Sequence, residues 1–402
     1  MALQDTYYYN TTNSNTQDYL RKSFAGQMLR YAPSGSCPLF GLTSMLPEAS
    51  CAAVEHGYFA KTMVFPSIKL DGAIADAVDT TWTVDSTTNV LAGDLYRVQS
   101  TGEVVRVASV DSGTTLTVAR EIGASDLGAA IADNVVCYFI GNAFEQGSNA
   151  PASRLMNPTR VMNNTQIFRN TWALPGTIEA VLPIVGDSIV AESRTDCGMF
   201  HSLAIEASML FGQKSGQIIG NQYLTTMSGI IETVRTGAPA GNTTVAGGTT
   251  TFAQLEAMVN GTFDVSTNGR TGNQRLLFVG GTGRSVINGI GRLSGSYQIV
   301  DGQTSFGLQF SMFRTSRGEF KLIEHPLLNS NDDWKKMALA VDLPSVRVPY
   351  LRRTKHVGYG MDGKYVQNGQ DAVGGTLTTE LTMEIHNPSA FAVVYGLTAA
   401  AA

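Results

Sequence analysis

The chain has 402 residues, more than one hydrophobic core usually fills, so two or three packed units are expected. Only 15% of it is charged, against about a quarter in an average domain, and a surface so short of charge points to an obligate oligomer whose faces are covered by partners. The net charge of -5 excludes a protein whose main task is gripping phosphate backbones, and no apolar run reaches the roughly 18 to 20 residues of a membrane span.

Residues 1–52 are polar, then punctuated by proline and glycine, and lack the charged-then-apolar order of a signal peptide, so the chain is expected to be made and used in a cytosol. One short helix is expected from Thr16 to Arg30, where Tyr19, Leu20, Phe24, Met28 and Leu29 fall near a helical stripe. Such an arm forms no core alone and must lie on its own body or on a neighbour.

From Val54 to Leu70 the pattern turns strand-like. Between Thr81 and Gly141 it becomes a run of short strands, WTV, DLYRVQ, EVVRVASV, TTLTVARE and NVVCYFIG, separated by turn signals. Strands spaced this closely predict a small barrel or sandwich inserted as a unit. A second extended passage, Asn142 to Ala180, follows. The two extended passages read as the legs of one long hairpin, whose edge groups must be satisfied on a partner.

The clearest helix lies between Gly186 and Gly216. Asp187 or Ser188 caps its start, Gly212 or Gly216 ends it, and Ile189, Cys197, Phe200, Ala204, Ala207 and Phe211 are its expected apolar face. Its length, on the order of 36 Å, suits a strut across a domain. Gly237 to Thr251 is a loop or hinge by composition. Beyond it, TFAQLEAMVNGTF and GRSVINGIGRL read as helices, and RLLFVGG, YQIV, LQFSMF and FKLIEH as strands, which describes an α/β unit. In the closing segment Leu377, Leu381, Met383 and Ile385 alternate with Thr378, Glu380, Thr382, Glu384 and His386, the period of a half-buried strand. Asn387-Pro388 ends it, and Phe391 to Tyr395 is expected to return as its hairpin partner.

Catalytic signals are weak. The order strand, Gly280, Gly281, Thr282, Gly283, helix imitates a nucleotide-binding unit, with Asp301 where a ribose-binding acid sits, but Val286 occupies the position of the third glycine. The glycines serve a tight turn equally well. His56, His201, His325, His356 and His386 have no metal-ligand spacing and read as surface or satisfied core histidines; His201 and Glu206, at i and i+5, share no helix face. Cys37, Cys51, Cys137 and Cys197 form no C-x-x-C pair and read as buried thiols. Asp332-Asp333 reads as a turn or helix cap, and Glu192 with Asp196 as a solvated helix face. No catalytic, cofactor-binding or metal-binding residue is assigned, and the chain is not expected to be an enzyme or to carry a cofactor.

In this order, NNTQIFRNTWALPGT (Asn163 to Thr177), HSLAIEASMLFGQKSG (His201 to Gly216), DDWKKMALAVDLPSVRVPYLRR (Asp332 to Arg353) and HNPSAFAVVYGL (His386 to Leu397) resemble tailed-bacteriophage major capsid proteins. The fold of that family is shared with herpesvirus shell floors and encapsulins, and the subgroup resembled carries a β-rich insertion in its extended loop. The resemblance implies an α+β fold with an N-terminal arm (1–52), an extended β-hairpin loop (53–80 and 142–182) and a small β-barrel insertion (81–141). It also implies a peripheral domain (183–249 and 371–402) with a long spine helix (187–212), and an axial α/β domain (250–370).

The function implied is to self-assemble into hexamers and pentamers of an icosahedral shell around a double-stranded DNA genome. The protein would be found in the virion and made in the host bacterial cytoplasm. Its implied partners are copies of itself, a portal protein and DNA held without sequence specificity, with no membrane; scaffolding and decoration proteins are left open. Arg154, Arg160, Arg169, Glu192, Arg352 and Arg353 are candidate inter-subunit contacts, since arginine pairs with carboxylate through two prongs. Lys61 and Lys69 lie on the loop with no marked acceptor, so no covalent cross-link is assumed. A tail-tube or tail-sheath protein, or an encapsulin-like compartment shell, is the alternative.

Overall fold

The computed structural model describes residues 37–398, apart from 47–48, 62–65, 77–78, 121, 124–129, 155–156, 182–187, 266–271, 295–303, 306–307, 310 and 360–370. The expected helix Thr16 to Arg30 and the expected strand YQIV lie outside the described residues. The chain divides into two compact units, one formed by the segments on either side of Phe59–Val161 and the other by Phe59–Val161 itself.

The larger unit is organised by a six-stranded sheet in the order Thr243–Val245, Ala392–Tyr395, Ala338–Val341, Gln274–Val279, Glu319–Glu324, Ser311–Arg314. Its middle strands are apolar at consecutive positions because both faces are covered, and Gln274–Val279 pairs parallel with Glu319–Glu324. Leu277, Leu322 and Ala340 face one core with Leu255, Val259, Val286 and Ile287, which lie on the helices Phe252–Asn260 and Gly281–Ser294. Phe278, Ile323, Leu339 and Val341 face the other. Thr251 opens the first of these helices with a reciprocal capping box to Gln254.

The second core is shared with the 23-residue helix Ile189–Phe211 and a four-stranded sheet, ordered Ala49–Ser50, Pro349–Tyr359, Ala372–Leu381, Gln166–Pro175. Ser188 caps the helix by accepting a hydrogen bond from the Ala191 amide, and Gly212 follows its last residue.

Three expectations are corrected. The buried helix face is Cys197, His201, Ile205, Glu206, Met209 and Leu210; of the expected stripe Cys197 is buried and Ala204 and Phe211 pack at the edge of the core, but Phe200 is 65% exposed. Apolarity marked only part of the face because two of the residues on it, His201 and Glu206, are polar and reach partners elsewhere in the chain. Glu380 and Thr382, expected on a solvent face, are buried together with Leu381 and Met383. Finally, Ala392–Tyr395 is not the hairpin partner of the closing strand: it lies antiparallel to Ala338–Val341 and parallel to Thr243–Val245 in the other sheet.

The Gly280 turn also has a structural account. A Cβ on Gly280 would stand 2.5 Å from the Lys335 backbone, so this glycine is required by close approach of the turn before Met337. The Gly281 amide donates to Asn329 Oδ1 at 2.6 Å, and Val286 is buried in the core. The first turn of the helix is thus engaged by the protein's own side chain.

The smaller unit is a closed barrel. Its six strands run in the order Ser67–Lys69, Val136–Asn142, Asp94–Val98, Val104–Val110, Thr115–Ala119, Thr81–Thr83, and the antiparallel bridge Leu70 to Val84 joins the first to the last. The interior is filled by Trp82, Tyr96, Val98, Val105, Val107, Leu116 and Cys137, from alternate strand positions. The sequence pattern showed five of these strands; the sixth is Ser67–Lys69, and closure leaves no sheet edge. Arg120 Nη2 meets Glu103 Oε2 at 2.7 Å with both side chains buried.

Candidate assembly site

Polar residues buried in the larger unit tie its elements into one frame. Glu206 lies fully buried on the helix Ile189–Phe211. Its carboxylate accepts from the backbone amides of Leu39, at 2.8 Å, and Phe40, at 2.5 Å, in the first turn of the short helix Pro38–Thr43. That end of a helix has amides without internal partners and favours negative charge. His325, at the end of strand Glu319–Glu324 and also fully buried, brings Nε2 to 2.7 Å from Glu206 Oε1. One carboxylate therefore ties the segment before the loop, the long helix and the six-stranded sheet together. No local spacing marks this pairing, because the partners of Glu206 lie 119 to 167 residues away in the chain.

His201 is a satisfied core histidine, as expected. Its Nδ1–H donates to Asn170 Oδ1 at 2.9 Å, and its Nε2 lies 2.7 Å from the Thr379 hydroxyl, which also contacts Thr354. Burial holds its pKa below the ordinary value, so the neutral ring is the resident form. His56 Nε2 lies 2.9 Å from Glu384 Oε2, and His386 Nε2 contacts the other oxygen of the same carboxylate. Burial alone would raise the Glu384 pKa; hydrogen bonds from His386 and His56 outweigh it and hold the carboxyl below its usual range. Tyr58 donates to the Ile385 carbonyl at 2.5 Å beside them, and burial pushes its pKa up to about 12.

Cys51, Cys137 and Cys197 are buried thiols, and burial raises Cys137 to about 12. Among the described residues no cluster of His, Cys, Asp and Glu is arranged to hold a metal ion, and no helix is long and apolar enough to cross a membrane.

The six candidate contact residues are not brought together. Arg154 Nη2 lies 2.5 Å from Asp94 Oδ2 inside the barrel unit, and Arg352 Nε donates to the buried Glu380 at 2.6 Å. Arg160, Arg169 and Arg353 are exposed on strands, and Glu192 is half-buried in the first turn of the long helix. Among the described residues Arg160, Arg169 and Glu192 have no ion-pair partner.

The fold is that of phage-type capsid proteins. The capsid chain of an empty GTA particle superposes with a TM-score of 0.51 at 7% identity, over 97% of this chain and 99% of that one. The capsid chain of cyanophage P-SCSP1u aligns over 97% of each chain with a TM-score of 0.49 at 10% identity. By sequence, the profile of the SU10 major capsid protein matches residues 6–398. The chain is also 37% identical, over 97% of its length and 95% of the relative's, to the major capsid protein of Pseudomonas phage PaMx41.

The chain belongs to the SU10 major capsid protein family. It is a phage major capsid protein, and so a component of the virion.

Proposed function

We propose that copies of this chain close into hexamers and pentamers and together build an icosahedral shell around a phage's double-stranded DNA. The observation that carries this reading is the span of the family match, residues 6–398, which takes in arm, loop, barrel insertion and both sheets as parts of one capsid subunit. In this reading the arm (1–52) and those parts of the loop legs (53–80 and 142–182) that lie outside the barrel and the four-stranded sheet reach over neighbouring copies, and the exposed Arg160 and Arg169 meet carboxylates there, Glu192 among them. Each contact is weak alone, and symmetric repetition makes the shell stable.

The role is structural rather than catalytic, and neither cofactor nor metal is needed for it. The remaining partners are a portal protein and packaged DNA, which a mildly acidic chain holds weakly and without sequence preference. The protein is made in the host cytoplasm before assembly. Electron microscopy of the overexpressed chain, with any assembly helper supplied, is the test: closed shells support the reading, tubes favour a tail protein, and a compact monomer at high concentration overturns both.

A further inference from the structure

Directly after the long helix the chain forms a two-stranded ribbon, Ser215–Ile219 paired antiparallel with Gln222–Thr226. Gly220 and Asn221 both take positive φ, which makes the two-residue connection whose twist matches a hairpin. The twelve residues Ser215 to Thr226 contain no charge. An isolated hairpin of this size is at best marginally stable in water.

The base of the ribbon is held firmly to the body of its own unit. Asn164 Nδ2 donates to the Ser215 carbonyl at 3.1 Å, the Thr226 hydroxyl to the Gln213 carbonyl at 2.6 Å, and the Met227 amide to Gln166 Oε1 at 3.1 Å. The tip, by contrast, is bare and apolar. Ile218 stands opposite Tyr223 on one face, while Ile219 and Leu224 occupy the other, and these four side chains are 49 to 76% exposed. Tyr223 lies across Gly216, where a Cβ would come within 2.5 Å of its hydroxyl, so the ring's direction is set before any partner arrives. A ribbon apolar on both faces is satisfied only by being clasped from both sides.

We infer that this hairpin, residues 215–226, inserts into a second copy of the same chain and is one of the contacts that hold the shell together. The inference rests on the shell reading above. At about 200 Å² per large side chain the four residues expose roughly 500 Å² of mostly apolar surface. An independent partner binding through this tip alone would need about 800 Å² on each side. A sister copy draws the remainder from its other contacts, and a tab on one surface entering a slot on another is the head-to-tail arrangement that closes rings. The uncharged tip also presents nothing for nucleic acid or an acidic partner to recognise.

The test uses the full chain under conditions where the wild type forms particles. The double substitution Ile218→Asn with Tyr223→Asn is expected to leave the subunit's circular dichroism unchanged and to cut particle yield at least tenfold. In parallel, a photoreactive phenylalanine analogue placed at position 223 is irradiated in assembled particles, and the adduct is sized on a denaturing gel and mapped by mass spectrometry. A band at twice the chain mass, joined to a sister copy, is the expected result, and it decides the matter if the double variant misfolds. Wild-type yield from a folded double variant overturns the inference, as does an adduct confined to its own chain or formed with a different protein. Absence of any particles from the wild type would instead sink the shell reading, and this inference with it.

Discussion

Glu206 on the long helix and His325 at the end of a sheet strand meet at 2.7 Å with both side chains fully buried. The same carboxylate accepts the first amides of helix Pro38–Thr43, so three separate parts of the chain converge on one side chain. A carboxylate buried this way is tolerated because every donor around it is directed at it; removing it leaves those donors unpaired.

Glu206→Ala is therefore expected to destabilise the subunit by about 3–5 kcal/mol, the usual cost of breaking a buried pair from one side. Glu206→Gln, which keeps an acceptor, should lose less. Chemical denaturation of unassembled subunits measures both; equal stability of Glu206→Ala and wild type would contradict this account.

His201 gives a pH dependence of definite sign. Burial lowers its pKa in the folded state, so below about 6.5, the ordinary histidine value, the unfolded chain binds the extra proton more readily. Its contribution is complete above that pH and declines as pH falls toward the lowered folded value. Comparing urea midpoints from pH 8 to pH 5 for wild type and His201→Gln should show a steeper acid loss in the wild type, since glutamine has no proton to take up.

Gly280 separates a packing role from a nucleotide-binding one. With the Lys335 backbone 2.5 Å from where a Cβ would sit, Gly280→Ala should cost about 1–3 kcal/mol of stability. A thermal melt with and without dinucleotide tests this: a shift on adding the cofactor to wild type would reinstate the nucleotide reading.

Arg169 is exposed on the strand Gln166–Pro175, with its Cα opposite Thr378. If it meets a carboxylate on a neighbour, Arg169→Glu should leave subunit stability within about 0.5 kcal/mol and reduce particle yield about tenfold or more. Sedimentation of assembly reactions reads the yield, and an unchanged yield would remove Arg169 from the contact.

Much of the fold was legible because local signals agreed. Gly280 before a helical pattern marked a strand-to-helix turn, Ser188 before Ile189 a helix start, and the closely spaced short strands after Thr81 a small all-β unit. The hairpin Ser215 to Thr226 carries a short local signal, Gly220-Asn221 between runs of strand formers, that the longer helix pattern before it masks. Glu206 and His325 were illegible as a pair, since no spacing rule joins residues 119 positions apart.

By itself, the sequence determined the order and type of the main elements, because those properties depend on neighbours within a few residues. Only the tertiary structure decided that His201 and Glu206 face inward, that Ala392–Tyr395 crosses to the other sheet, and that Ser67–Lys69 closes the barrel. The physical reason is common to all three. Hydrophobic periodicity reports burial only through apolarity, whereas a polar side chain or a strand edge is buried when its hydrogen bonds are met, and the groups that meet them lie far away in the chain.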